Sequence, residues 1–213
     1  MLAAAGCARP GPPQFRLNTA GLDPDRISQQ QREAMLGPLA ALFGTPDEPQ
    51  APEGTPLRRE LLQRAAGPVG SDEEGRTNGL YRKHCVVYHG LSGEGAGPNA
   101  AVLYPYPRDF RKGVFKYTST PSGEKPLRED LERTVRCGLP GTARPSFDGL
   151  SDQEIDALVE YVQYLSLRGE TELELLQMVA AGPDRSTSTG GFARGSRARP
   201  CPQPVAGAET AAR

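Results

Sequence analysis

A cysteine, a tyrosine and a histidine lie close together in the segment Cys85-Val86-Val87-Tyr88-His89-Gly90. On an α-helix, positions i, i+3 and i+4 share one face, because each residue turns the chain by about 100°. Cys85, Tyr88 and His89 are therefore expected to point the same way. This geometry suits a covalently held haem, since a cysteine thiol can add to a vinyl group while a histidine one turn later binds the iron.

The attachment motif departs from its usual form. Haem attachment normally uses Cys-x-x-Cys-His, and Tyr88 stands where the second cysteine belongs. A phenol cannot form a thioether, so Cys85 is the one covalent link that this segment offers. Tyr88 is predicted to pack in the space that the second thiol would occupy.

The elements that must position these residues read as helices and loops. A helix is predicted over roughly residues 72–88, followed by a Gly- and Pro-rich loop over about 90–125 and a second helix over 126–138. After another loop, the last helix begins at Ser151, which forms a capping box with Glu154. The apolar face of this helix consists of Ile155, Leu158, Val159, Val162 and Leu165. The predicted fold class is all-α.

Four segments resemble those of a monohaem cytochrome c domain of the bacterial respiratory kind. Gly79–Cys85 resembles the helix that leads into the haem motif, and His89–Pro98 resembles the Gly-rich turn after it. Pro105–Phe110 resembles the segment that lines the haem edge, and Arg136–Phe147 resembles the loop that carries the distal ligand. The resemblance covers about 100 of the 213 residues and implies a cytochrome c-like domain at residues 71–170.

The resemblance implies one haem c, attached through Cys85 and ligated at its iron by His89. In that family the carbonyl of a proline in the Gly-rich turn accepts a hydrogen bond from the ligand histidine, and Pro98 matches it by position. Arg108 matches the haem-edge segment, where an arginine could pair with a propionate. The predicted cofactor-binding residues are thus Cys85, His89, Pro98 and Arg108, with His89 as the metal ligand and no catalytic residue.

The distal loop lacks the methionine that the family carries immediately before Pro-Ser-Phe, and the residue here is Arg144. An arginine stays protonated and offers iron no lone pair, so the sixth coordination position is expected to be open or filled by another group. Arg144 is predicted to face solvent or a propionate, or to stabilise an anion or peroxide over the iron. Cys137 is either a replacement thiolate ligand or a core residue. His84 would face about 140° away from His89 on a regular helix, so it is not expected to be the opposite ligand.

Composition limits the remaining classes of function and the size of the core. The chain has 25 basic and 26 acidic residues, which supplies no general attraction to nucleic acid. No run approaches the roughly 20 apolar residues of a spanning helix. With 25 glycines and 21 prolines, the core is expected to be concentrated in part of the chain. A helical extension and linker is predicted at 23–70, a continuation of the last helix at 171–181, and a disordered tail at 182–213.

The first 22 residues combine a short apolar start with a Pro-rich, extended stretch. Ala4-Ala5-Gly6-Cys7 matches the small-residue pattern before the lipidated cysteine of bacterial lipoproteins, but the apolar run is too short for a whole export signal. One interpretation is a truncated lipoprotein signal that would tether Cys7 to a membrane. The other is an Ala-rich disordered terminus.

The leading hypothesis is a haem-c-binding single-electron carrier of a bacterial respiratory chain, rather than an enzyme, on the periplasmic side of the membrane. Its expected partners are respiratory redox proteins or cytochrome oxidase subunits, and an open iron would permit weak peroxidase-like activity. The alternative is a haem-free cytochrome-c-like structural or docking module, or a degenerate gene product. The absent second cysteine and the absent distal methionine favour this alternative.

Overall fold

The computed structural model describes residues 11–19 and 26–181. Within these residues the helices are α1 (Gln29–Phe43), α2 (Arg59–Ala65), α3 (Leu80–His84), α4 (Val86–His89), α5 (Arg128–Cys137) and α6 (Asp152–Ala181). The strands are β1 (Gly70–Ser71) and β2 (Thr77–Asn78), and two short 3-10 turns span Ala100–Val102 and Phe110–Lys112. The fold is predominantly helical, which confirms the predicted fold class.

The predicted helix over residues 72–88 is wrong in its first half. Gly70 pairs with Asn78 and Ser71 with Thr77 in an antiparallel hairpin. The hairpin forms because the Asp72 carboxylate accepts the backbone N–H of Arg76 at 2.7 Å, a local bond that competes with a helical first turn. Helix α3 begins only after the hairpin, so the helical part of this segment is short.

The later helices form where the sequence predicts them. Helix α5 occupies most of the predicted 126–138 segment. At the start of α6, the Ser151 hydroxyl accepts the Glu154 backbone N–H at 3.3 Å, and the Glu154 carboxylate accepts the Ser151 N–H at 2.9 Å. This reciprocal pair is the predicted capping box, which satisfies two backbone donors at the start of the helix.

Helix α6 runs through the core and contacts α1, α2, α3, α5 and the turn at Phe110–Lys112. Tyr161 on α6 packs against Tyr81 on α3 with ring centroids 4.7 Å apart, and Tyr164 lies 5.4 Å from Tyr161. The Tyr81 hydroxyl donates to the Gly90 carbonyl at 3.0 Å. The three tyrosines therefore join the first and last helices of the domain, as expected for buried aromatic residues with a polar end.

The turn at Phe110–Lys112 lies directly on α6. A Cβ on Gly169 would be 2.4 Å from the Arg111 Cα, so a glycine is required for this close approach. Arg111 also forms an ion pair with Asp109 at 2.9 Å. These contacts fix the position of Phe110 relative to α6.

The described N-terminal segment also packs on α6. The Asn18 backbone N–H donates to Glu172 at 2.7 Å, Glu172 pairs with Arg168 at 2.7 Å, and the Arg168 guanidinium lies 4.3 Å from the Phe15 ring centroid. Both members of this ion pair are buried and both are compensated.

None of the helices in the described ranges combines the length and apolarity needed to cross a bilayer. The Ala-rich start with Cys7 and the predicted disordered tail at 182–213 lie outside the described residues.

Candidate functional site

One cavity opens between α3 and α4, the loops at 103–117 and 139–147, and the helices α5 and α6. The apolar residues of its lining include Leu103, Phe110, Phe115, Leu131, Val135, Leu139, Phe147, Leu158 and Val162. Ligand and cofactor sites are lined predominantly by side chains of this kind. The cavity therefore has the lining of a site for an apolar cofactor.

His89 borders the cavity with one of its two ring nitrogens already engaged. Its Nδ1 lies 2.9 Å from the Arg108 carbonyl oxygen. Since a carbonyl can only accept, Nδ1 carries the proton and Nε2 keeps its lone pair. Burial lowers the pKa of His89 to about 4; the bond to the Arg108 carbonyl opposes this shift and the nearby Arg144 charge adds to it. The imidazole is therefore neutral at pH 7, which is its metal-binding form.

Packing and a close backbone approach fix the orientation of His89. Its ring stacks on Phe110, with centroids 4.1 Å apart and planes at 20°. Gly95 has a φ of 77°, and a Cβ there would lie 2.5 Å from the Pro107 carbonyl oxygen. A glycine at this position is required because the Gly-rich turn and the segment at 107–108 cross almost in contact. This crossing places the Arg108 carbonyl next to the imidazole.

The predicted hydrogen bond from His89 to the Pro98 carbonyl is wrong, because the Arg108 carbonyl occupies that role. The Gly-rich turn folds back onto the helix, where Gly97 N–H donates to the Tyr88 carbonyl at 3.0 Å and Asn99 N–H to the Val87 carbonyl at 2.9 Å. Pro98 lies between these two bonds and is exposed. It is not part of the cavity lining.

Cys85 and Tyr88 border the cavity together with His89, so the shared face predicted from their spacing is present. The Cys85 thiol is half-buried and free, and burial raises its pKa to about 12 although the Arg144 charge opposes the shift. A protonated thiol is a poor metal ligand and a poor nucleophile toward solvent oxidants. It keeps the S–H bond that adds across a vinyl group to form a thioether.

His84 also borders the cavity, which regular helical rotation does not predict. The reason is a break between α3 and α4, where Cys85 has φ −117° and ψ −37°. The His84 ring packs edge-on against Phe147 at 5.3 Å, and its buried Nε2 has no hydrogen-bond partner among the described residues. Burial, and next the Lys83 charge, lower the pKa of His84.

Arg144 is half-buried and borders the same cavity. Its Nε is buried without an acceptor, and its guanidinium forms no ion pair with any residue in the ranges 11–19 and 26–181. Burial lowers the pKa of Arg144, and the Cys85 thiol opposes this shift. An arginine remains charged under these conditions, so Arg144 is a cation in the cavity without a counter-charge from the described part of the chain.

Arg108 contributes its backbone to His89, and its side chain borders the cavity without an ion pair to any described residue. Its predicted pairing with a propionate stays a prediction. Cys137 is exposed and lies outside the cavity lining, so both of its predicted roles, thiolate ligand and core residue, are wrong. The carbonyl of Arg108 and the ring of Phe110 were not predicted as part of the site, because a backbone group carries no residue-type signal and a single phenylalanine is usually core.

The match to a family model agrees with this geometry. Residues 74–166 match the family model for cytochrome c. No curated protein matches the sequence significantly. Among solved structures, a chain of the reducing HAO-like protein complex of Kuenenia stuttgartiensis is 32% identical, with a TM-score of 0.40, over 45% of this chain and 43% of that one. This chain thus spans less than half the length of that structural neighbour.

Proposed function

Residues 74–166 form a cytochrome c domain, and from this premise we propose that the chain binds one haem c and carries single electrons in a bacterial respiratory chain. One observation carries the proposal. Cys85 and His89 border the same apolar cavity, and the Arg108 carbonyl holds the imidazole so that Nε2 keeps its lone pair. These are the two groups that a covalently attached, histidine-ligated haem requires.

The residues present fit this cofactor. Cys85 would form one thioether, His89 Nε2 would bind the iron, and Arg108 would pair with a propionate. Bound haem supplies the one-electron couple. The chain itself orients the imidazole through the Arg108 carbonyl and Phe110, and its apolar lining would exclude water from a bound macrocycle.

We propose that the iron has no methionine ligand at its sixth coordination position. Arg144 occupies the loop position where the family carries methionine, and it offers no lone pair. Without a thioether sulfur opposite His89, the reduction potential is expected to lie below that of a His/Met cytochrome.

We place the domain at residues 71–170, on the periplasmic side of the membrane, with Cys7 as a lipid tether and with respiratory redox proteins or cytochrome oxidase subunits as partners. The surface near the cavity mouth supports a partner contact. Tyr106 and Tyr117 both border the cavity and are exposed over 57% and 54% of their surfaces. Tyr104, two residues before Tyr106 in the sequence, is exposed over 97%. Aromatic residues of this kind are enriched in protein interfaces.

An absorption spectrum tests this function. The protein is expressed with haem-c maturation machinery, as wild type and as Cys85→Ala, with Cys137→Ala as the matched control because that cysteine is exposed and outside the cavity. We expect a Soret band that survives acid-acetone extraction in wild type and Cys137→Ala and is extracted from Cys85→Ala. The pyridine haemochrome should be of the one-thioether type. A two-thioether spectrum would contradict the single attachment through Cys85.

The second candidate, a haem-free structural or docking module, rests on the missing second cysteine and the missing distal methionine. A haem-free domain would be expected to fill its core with side chains, because protein interiors are close-packed. The open, apolar cavity beside His89 does not favour it. A folded but colourless preparation from a host with working maturation machinery would establish it.

A further inference from the structure

Arg144 is one of four arginines of the described ranges whose Nε is buried without an acceptor. The terminal nitrogens of the other three, Arg64, Arg82 and Arg168, bond to Gln153, Asp47 and Glu172. Among the described residues, the Arg144 guanidinium has no such partner. A partly buried charge without a partner is costly, so a residue of this kind calls for an explanation at the site itself.

The backbone of the loop holds Arg144 in place. The Arg144 N–H donates to the Thr142 hydroxyl at 3.2 Å, and the Arg144 carbonyl accepts the Leu139 N–H at 3.4 Å. Just beyond it, the Phe147 N–H donates to the Arg136 carbonyl at 3.0 Å. The guanidinium thus borders the cavity from a fixed loop, close enough to perturb both Cys85 and His89 electrostatically.

Two other cationic residues, Arg108 and Lys116, also border the cavity. The proposed pairing of Arg108 with a propionate, with Lys116 available for the second propionate, leaves Arg144 for another anion.

We propose that Arg144 makes the distal part of this cavity a binding site for a small inorganic anion, held between the guanidinium and the open sixth position of the iron. The inference rests on the proposed haem binding and adds the ligand class of that site. The ligand must offer one lone pair to iron and a second acceptor to the guanidinium, as azide, nitrite and hydroperoxide do. Only binding is proposed, and no bond within the anion breaks.

The test is an equilibrium titration of the holoprotein followed by the Soret band. Azide is the anionic probe of the ferric form, and carbon monoxide is a neutral probe of similar size for the ferrous form. In Arg144→Gln we expect azide to bind roughly 10- to 100-fold more weakly, because a charge-assisted hydrogen bond is lost. The affinity for carbon monoxide should change less than about threefold, a factor well below that of one charged bond.

Two further variants keep the result interpretable. Arg144→Lys retains a charge and should recover part of the azide affinity. Arg59→Gln removes an exposed arginine outside the cavity lining and should leave the azide affinity unchanged. Equal azide affinity in wild type and Arg144→Gln would overturn the inference, as would an equal loss for both probes, which indicates altered access. A wild-type Soret band that responds to neither probe would also overturn it while haem binding stands. A colourless wild type would instead remove the proposed function itself.

Discussion

Two regions of the molecule differ in whether a charged group removed from solvent has partners of opposite charge. On α6, the Glu160 carboxylate is almost fully buried and accepts the Arg58 backbone N–H at 2.6 Å, the Arg58 side chain at 3.0 Å and the Arg128 side chain at 2.8 Å. In the cavity, the Arg144 guanidinium has no carboxylate at all among the described residues.

The difference distinguishes charged groups that stabilise the fold from groups that we propose bind a ligand. Burying a charge without a partner costs several kcal/mol, and pairing it with good geometry offsets that cost. Glu160 therefore belongs to the structural scaffold that links α2, α5 and α6. Arg144, His84 Nε2 and the Cys85 thiol lack such partners, and all three border one cavity. Unsatisfied polar groups that converge on a cavity are a physical mark of a binding site.

The largest effect is expected at His89, the proposed iron ligand. His89→Ala removes the nitrogen that would bind iron, so haem incorporation per folded protein should fall at least about tenfold, a loss usual even for residues that only support a metal ligand. The measurement is the ratio of Soret absorbance to protein absorbance after purification. His84→Ala is the matched control, since it removes the other histidine of the lining. Equal loss of colour in both variants would mean that His89 has no special role.

The next largest effect is expected at the ion-pair network of Glu160 with Arg58 and Arg128. Glu160→Ala leaves Arg58 and Arg128 without their shared carboxylate. Because both guanidinium groups keep contact with solvent, we expect the loss of these charged hydrogen bonds to cost about 1.5–3 kcal/mol of unfolding free energy. Urea denaturation of the folded variants measures it. Glu132→Ala serves as control, because it removes a half-buried i,i+4 partner of the same Arg128 and should cost about 0.5 kcal/mol or less. A small loss for Glu160→Ala would remove the contrast with the cavity.

A change of opposite sign is expected at Arg144. Arg144→Met replaces an unpaired cation in the cavity by an apolar side chain, so the unfolding free energy of the haem-free protein should rise by about 1–2 kcal/mol. In the holoprotein, the thioether sulfur should raise the reduction potential and exclude azide. Urea denaturation and a redox titration measure the two effects. A less stable haem-free variant would show that Arg144 supports the fold.

The smallest effect concerns the acid sensitivity of Asp130, a buried carboxylate on α5 that also has partners. The Ser119 backbone N–H, and then the Ser119 hydroxyl and Arg133, hold the pKa of Asp130 below its ordinary value, although burial opposes them. A lowered carboxyl pKa stabilises the fold fully above the unfolded value of 3.8, and this contribution is lost as the pH falls through the lower folded pKa. Thermal melts from pH 5 to pH 2 should therefore show that Asp130→Asn loses stability at pH 5 and converges with wild type in acid.

Asp148→Asn is the control for that series, because Asp148 is an exposed carboxylate in the loop before α6. Its melting temperature should follow that of the wild type across the whole range. A constant difference between Asp130→Asn and wild type from pH 5 to pH 2 would assign the effect of Asp130 to packing rather than to its charge.

Features that depend only on residues close together in the sequence were predictable. The capping box at Ser151, the apolar face of α6 and the shared face of Cys85, Tyr88 and His89 all follow from helical periodicity, which depends only on residues three or four positions apart. The hairpin at 70–78 was not predicted. One hydrogen bond between the Asp72 carboxylate and the Arg76 backbone N–H favours a turn over a helical start, and the composition of the segment does not show whether that bond forms.

The sequence by itself determined that a lone cysteine and a histidine one helical turn apart face the same way, and it predicted that Arg144 stands where the resemblance to cytochrome c places a methionine. Only the tertiary structure decided that the Arg108 carbonyl, rather than that of Pro98, engages His89, and that no carboxylate of the described residues reaches Arg144. The physical reason is range. Side-chain direction on a helix is a local property, whereas the partner of a buried polar group is whichever atom the packing of distant segments brings within about 3 Å.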